Sequence, residues 1–254
     1  MSIPFHIGSD GKKRFKIAGI LAQRSNDNGK GFLRPILGAD FAEWWDFTSS
    51  DNLILNTAGT TTIQTIRNLA TGSSASQGIK ARQPIWDGEK AIFNGGQFIP
   101  RYAGVRANET IFFVYSGLGY MFSTSHANRT YQLRSNADNT LSFRARDSSI
   151  GIFDENIAFT SADLVRIVSV AYQATGGPGT IRNIHEQRDF DRPGNLTELG
   201  TAFGAIGAWS NNTANSEDDF NNFFNGTIRE IIRVYRKLTT SETDKIWNEY
   251  LIPK

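Results

Sequence analysis

The chain has no cysteine, two methionines and three histidines in 254 residues. Without cysteine there is no disulfide framework and no thiolate metal site. His6, His126 and His185 lie far apart and make no H-E-x-x-H, so that type of zinc centre is excluded. No apolar run approaches the roughly 20 residues that span a bilayer. The opening stretch, MSIPFHIGSDGKKRFK, lacks the long apolar core of a secretory signal. The formal net charge is only +2, too small to argue for nucleic acid. No glycine cluster precedes a predicted helix, so no phosphate cradle is implied. No heptad pattern is present to specify a coiled-coil trimer.

What is present points to strands. Mean hydropathy is −0.36 with 39% hydrophobic residues, as in a soluble globular chain. Twenty-four glycines and eighteen phenylalanines suit many strands joined by tight turns. Residues 1–34 hold seven Lys or Arg against two Asp, a net of +5, which leaves −3 for the remainder. Residues 1–38 therefore read as a basic arm or early hairpin. Lys12, Lys13, Arg14 and Lys16 are candidates for docking on a partner, or are solvated lysines of an ordinary strand. Lys12 to Leu21 has the length of one strand, and Arg24 to Gly31 is turn-forming polar chain.

The C-terminal stretch Phe223 to Leu251 is the most informative. Phe224-Asn225-Gly226 predicts a turn. Thr227 to Arg236 predicts a strand, with Ile228, Ile232 and Val234 on one face and Arg229, Ile231, Arg233 and Tyr235 on the other. Thr239 and Glu242 make a capping box, and Ile246, Trp247, Tyr250 and Leu251 repeat at helical spacing.

The order of Phe224, Gly226, Ile228, Glu230, Tyr235, Leu238, Glu242, Tyr250 and Leu251 resembles the end of laminin-G-like, concanavalin-A-like jelly rolls. One departure is Arg236, where that family usually has Asn. A second block, Arg82, Pro84, Trp86, Gly88, Ala91, Phe93 and Gly95, resembles the same family, in the right order. The resemblance covers about residues 40–251. It implies an all-β, two-sheet antiparallel jelly-roll sandwich with one short C-terminal helix, occupying residues 39–254. It also implies a last strand that adds to the sandwich and a helix that packs across it.

Between these blocks, Asp40 to Thr48 reads as the first core strand. Residues 49–80 read mostly as long loop, with Ile63 and Ile66 pinning a short strand. Asn108 to Ser116 is apolar on both faces and predicts a covered central strand. Tyr131 to Arg134 and Thr140 to Asp147 predict an antiparallel pair, with Leu141 and Phe143 inward. Leu164 to Gln173 predicts another central strand, Thr175 to Gly179 a hairpin tip, and Ile181 to Phe190 its return. Phe203 to Trp209 predicts the strand before a polar loop.

No E-x-D-x-E-like run sets paired carboxylates on one strand face, as glycosidases of this fold need. The expectation is therefore a non-enzymatic protein. Trp44, Trp86 and Trp209 are candidates for stacking on sugar rings if exposed, and are core residues otherwise. Arg144, Arg146, Arg229 and Arg233 read as solvated outward residues. The loop 211–222 is rich in oxygens, and Asn215, Glu217, Asp218 and Asp219 are the candidate ligands should calcium bind; no other cofactor is expected. Modules of the resembling family are normally extracellular, whereas this chain has neither a recognisable signal nor cysteine. That combination suits a tailed-phage virion protein made in host cytoplasm, a capsid decoration or a tail or fibre component. Its partners would be other virion proteins and host cell-surface polysaccharide, and a homo-oligomer would suit a particle. A free lectin is the alternative, and a glycoside hydrolase or lyase the second alternative.

Overall fold

The computed structural model describes residues 5–7, 13–15, 29–56, 61–105, 108–126, 129–137, 140–147, 151–158, 166–172, 177–182, 187–192, 199–209 and 217–252. The chain divides into two compact units, Met1–Gly38 and Ala39–Lys254.

In the first unit, β1 (Phe5–Ile7) and β2 (Lys13–Phe15) form an antiparallel hairpin with Ile7 opposite Lys13. Helix α1 (Lys30–Leu37) follows, where polar turn was expected up to Gly31. Leu33 and Leu37 are four residues apart, so they share one helix face, and both are buried. Left-handed Gly29 precedes the helix and Gly38, at φ +61°, ends it.

The second unit opens with β3 (Phe41–Asp46), β4 (Leu53–Asn56), β5 (Thr62–Arg67) and β6 (Ser74–Ser76). The stretch expected as mostly loop thus holds three strands. Ile63 and Ile66 do pin β5, and both are fully buried. Next come β7 (Ile85–Trp86), β8 (Ala91–Asn94), β9 (Ile99–Val105) and the 18-residue β10 (Glu109–His126). Then follow β11 (Arg129–Ser135), β12 (Thr140–Asp147), β13 (Gly151–Ala158), β14 (Arg166–Tyr172), β15 (Gly177–Arg182) and β16 (Gln187–Arg192). The chain continues with β17 (Leu199–Ile206), β18 (Ala208–Trp209), β19 (Asn222–Val234) and helix α2 (Thr240–Ile246), which runs on as a wider turn over Trp247–Leu251.

β10 belongs to both sheets. Its first half, Glu109 to Tyr115, lies between β14 and β19. Its second half, Phe122 to His126, lies between β11 and β17. β14 continues outward to β15 and β16, while β19 continues to β3 and β8. β11 continues to β12 and β13, while β17 continues to β9. All of these pairings are antiparallel, as a jelly-roll sandwich requires. Between the two halves lie Gly117 and Gly119, whose φ values of +131° and +105° are open to glycine and costly to other residues. Phe113 of the first half lies edge-on to Phe122 of the second, 5.5 Å between centroids, within one core that includes Trp45, Ile111, Leu133, Phe143 and Ile231.

Several local expectations change. Phe224-Asn225-Gly226 is not a turn: β19 runs straight through it, with Gly226 paired to Gly117. The register slips so that Val114 faces Glu230 but Tyr115 faces Ile228, leaving Arg229 bulged. The bulge resets the alternation, so Ile228 and Ile231 enter the same core and Arg233 is buried rather than outward. Of the predicted hairpin tip, Thr175 and Gly176 lie outside the described residues, while Gly177 to Gly179 begin β15, which pairs antiparallel with β14. The predicted return strand splits into the end of β15 and the start of β16. β11 and β12 pair as expected, with Leu133 opposite Phe143.

The last strand and helix follow the resemblance. Thr239 accepts from the Glu242 backbone N–H, and Glu242 accepts from the Thr239 backbone N–H. Trp247, Tyr250 and Leu251 are buried. Arg236 donates two hydrogen bonds to Glu242, at 2.9 and 2.7 Å, so the departure from the family pattern has a local partner. Those bonds, helped by Thr239, hold Glu242 down to about 2. Its stabilising contribution is therefore complete above its ordinary value of 4.5 and disappears as pH falls toward 2. Glu242→Gln should cost about 1 kcal/mol or less near neutral pH, given solvent screening of a half-exposed pair. Urea denaturation between pH 7 and pH 3 should show the gap to the wild type narrowing with acid; a constant gap would contradict this.

Candidate functional site

A groove of about 850 Å³ opens in the second unit, within the usual size range of ligand sites. Its walls come from β3 (Phe41, Glu43, Trp45), β6 and the segment before it (Thr71, Ser73, Ser74, Ser76), β9 (Pro100, Arg101, Tyr102), Phe203 of β17, and Tyr235. Strand alternation puts Glu43 and Trp45 on one face of β3. Tyr102 is 74% exposed, and its ring lies 5.1 Å from Phe203. The hydroxyl-bearing side is exposed at Thr71, Ser73, Ser74 and Ser76.

Beneath the groove lies a buried network of four charges. Arg101 Nη1 donates to both oxygens of Glu43 at 2.8 Å. Arg233 Nη1 donates to Glu43 Oε1 at 2.6 Å. Arg233 also grips Glu109 with Nε and Nη2, both at 2.7 Å. Trp45 Nε1 donates to Glu43 Oε2 at 2.8 Å. Arg101 stacks its guanidinium 3.7 Å over the Phe122 ring, and its Nε is buried with no hydrogen-bond partner.

Burial raises the Glu43 carboxyl, but Arg101 and Arg233 outweigh it and hold Glu43 below the ordinary range. Burial pushes Glu109 up, and Arg233 only partly offsets this. Burial lowers Arg101 to about 10, so it stays charged at neutral pH. Arg233 is raised: burial opposes its charge, but Glu109 and Glu43 on either side favour it more.

None of the four was expected as a site residue. Glu43 sits among aromatics in FAEWWD and Arg233 among aliphatics in IIRV, and a charge within an apolar strand is the signal that was available. The alternation alone puts Arg233 outward, because the bulge at Arg229 leaves no mark in the local pattern.

The three tryptophans fare differently. Trp44 is fully buried and donates to Glu230 Oε1 at 2.7 Å, alongside the Tyr250 hydroxyl at 2.6 Å, so it cannot stack on a sugar. It faces the C-terminal helix because its neighbour Trp45 takes the core side. Trp86 is half-buried, packs against the main core and donates to the Phe47 carbonyl at 2.8 Å. Trp209 is half-buried, 4.9 Å from Tyr120, outside the groove. The structure does not bring the three together.

Asn215 lies outside the described residues, as do Lys12 and Lys16. Glu217, Asp218 and Asp219 form one short helical turn. Asp218 accepts from Arg82 at 2.7 Å. Among the described residues no group of three or more acidic or histidine side chains could hold a metal ion. Lys13 and Arg14 stand in β2 of the hairpin.

No family model and no curated protein matches the chain. Solved structures are similar to it in fold. A GH54 α-L-arabinofuranosidase is 11% identical over 75% of this chain and 50% of its own, with a TM-score of 0.51. The CBM40 of a Ruminococcus gnavus IT-sialidase, bound to α2,3-sialyllactose, is 11% identical over 61% of this chain and 93% of its own, with a TM-score of 0.47. Domains LG4-5 of the mouse laminin α1 chain are 13% identical over 66% of this chain and 50% of their own, with a TM-score of 0.45. At such identities likeness speaks to fold alone. The strand pairing and core described above are those of an antiparallel jelly-roll sandwich.

Proposed function

We propose that the sandwich is a non-catalytic glycan-binding module and that the groove is its site. One observation carries the reading: an exposed Tyr102 ring stands at a groove that Ser and Thr hydroxyls also line. A sugar ring offers an apolar face to an aromatic and hydroxyls to polar side chains, and this groove offers both partners. Catalysis is not part of the proposal. Glycosidases need two carboxyl groups flanking one bond. Among the described lining residues Glu43 is the sole carboxylate, and its oxygens already accept from Arg101, Arg233 and Trp45.

Tyr102→Ala is the test. Its ring is largely in water, so the fold should survive, while retention on immobilised cell-surface polysaccharide should fall about tenfold or more. Retention unchanged in this variant would place any glycan site elsewhere.

The setting proposed is a virion, with the module displayed on a particle and the basic hairpin docked to other virion proteins. The charge of residues 1–34 supports this. Changing Lys12, Lys13, Arg14 and Lys16 to Glu in the full chain should abolish incorporation into particles; normal incorporation would remove the arm from the proposal.

A further inference from the structure

We infer that the groove selects neutral saccharides and discriminates against anionic ones, an inference that rests on the glycan reading above. The groove has no unspent charge to offer. Its only described charged lining residues are Glu43 and Arg101, whose side chains are 5% and 1% exposed. They are bonded to each other, and Glu43 is also bonded to Arg233, which is in turn bonded to Glu109. Two carboxylates and two guanidiniums cancel. A carboxylate or sulfate on a sugar would lose its hydration on entering and meet no net positive charge in return. Pulling Arg101 toward such a group would strip a donor from buried Glu43, which is costly.

What remains accessible is uncharged. Ser73, Ser74 and Ser76 are exposed at the groove, as is Tyr102. Hydroxyl groups donate and accept equally well, as do sugar hydroxyls. Binding through such contacts does not depend on a Coulombic field, so added salt should leave it unchanged.

The test measures retention of the full chain on an immobilised glucan, galactan and mannan, and on a polyuronate and polysialic acid. Each is run at about 50 and about 500 mM NaCl, conditions that separate screened from unscreened contacts. Retention on at least one neutral polymer, about tenfold above both anionic ones and unchanged by salt, is the expected result. It should be lost in Y102A. Ser74→Lys, which adds one accessible cation at an exposed position, should raise retention on the polyuronate about tenfold and make it salt-sensitive. Preferential retention on an anionic polymer that Y102A abolishes would overturn the neutral selectivity and leave the groove as the site. Retention that Y102A does not touch, or none on any polymer, would overturn the groove reading and this inference with it. A wild-type preference for neutral polymers with no gain in S74K would overturn the charge-balance explanation.

Discussion

Replacing Arg233 with methionine should destabilise the protein by about 3–5 kcal/mol, the usual cost of removing one partner from a buried ion pair. Arg233 is fully buried and serves two carboxylates. Its loss leaves Glu109, also fully buried, without both guanidinium bonds, and takes one bond from Glu43. Glu109 is already raised by burial with Arg233 in place. Without Arg233 it should protonate more readily still. A carboxyl raised in the folded state contributes stability below its unfolded pKa and loses it as pH rises through the folded value. The deficit of R233M should therefore widen as pH rises above the ordinary carboxylate range. Adding Glu109→Gln should recover part of the loss, because the stranded charge is gone. Arg233→Lys should restore the charge but not the two-pronged grip. Denaturant unfolding of the four proteins decides the matter. A cost under about 1 kcal/mol for R233M would show that the network is not a strong anchor.

The second large effect belongs to Gly117 and Gly226, paired where β10 passes β19. A Cβ on Gly226 would sit 2.1 Å from the Ser116 carbonyl oxygen and 2.6 Å from the Gly117 Cα. A Cβ on Gly117 would sit 2.3 Å from the Asn225 carbonyl oxygen and 2.5 Å from the Gly226 Cα. These neighbours are backbone, so no side-chain rotation relieves the overlap. Gly226→Ala or Gly117→Ala should cost about 4 kcal/mol or prevent folding outright, the upper end for overpacking. Gly72→Ala is the control. Its φ is +83° but nothing lies within 4 Å of the added Cβ, so strain alone should cost about 1–2 kcal/mol. Equal melting temperatures for G226A and G72A would contradict the steric account.

Much of the frame was legible in the chain itself. The capping box of Thr239 and Glu242 needs residues three apart, and that spacing is local. The apolar stripe of Ile246, Trp247, Tyr250 and Leu251 is local too, as is the inward alternation of Leu141 and Phe143. The two separated blocks resembling one family set the sandwich. The site was less legible. Trp44 and Trp45 are indistinguishable as neighbours, yet one faces the helix and the other the core. Which is which follows from the pairing of β3 with β19.

The sequence by itself determined the capped helix and the absence of thiol chemistry, which depend on spacings within one element and on composition; it carried the class of fold through the resemblance of two separated blocks to one family. The tertiary structure alone decided that Gly226 lies too close to β10 for a side chain, because the near atoms belong to Ser116 and to Gly117, its register partner from a distant part of the chain. It alone decided that Arg233 is buried, because one bulge at Arg229 turns the following residues over. And it alone assembled Glu43, Arg101, Glu109 and Arg233, since those charges come from four strands and are tolerable inside only as partners.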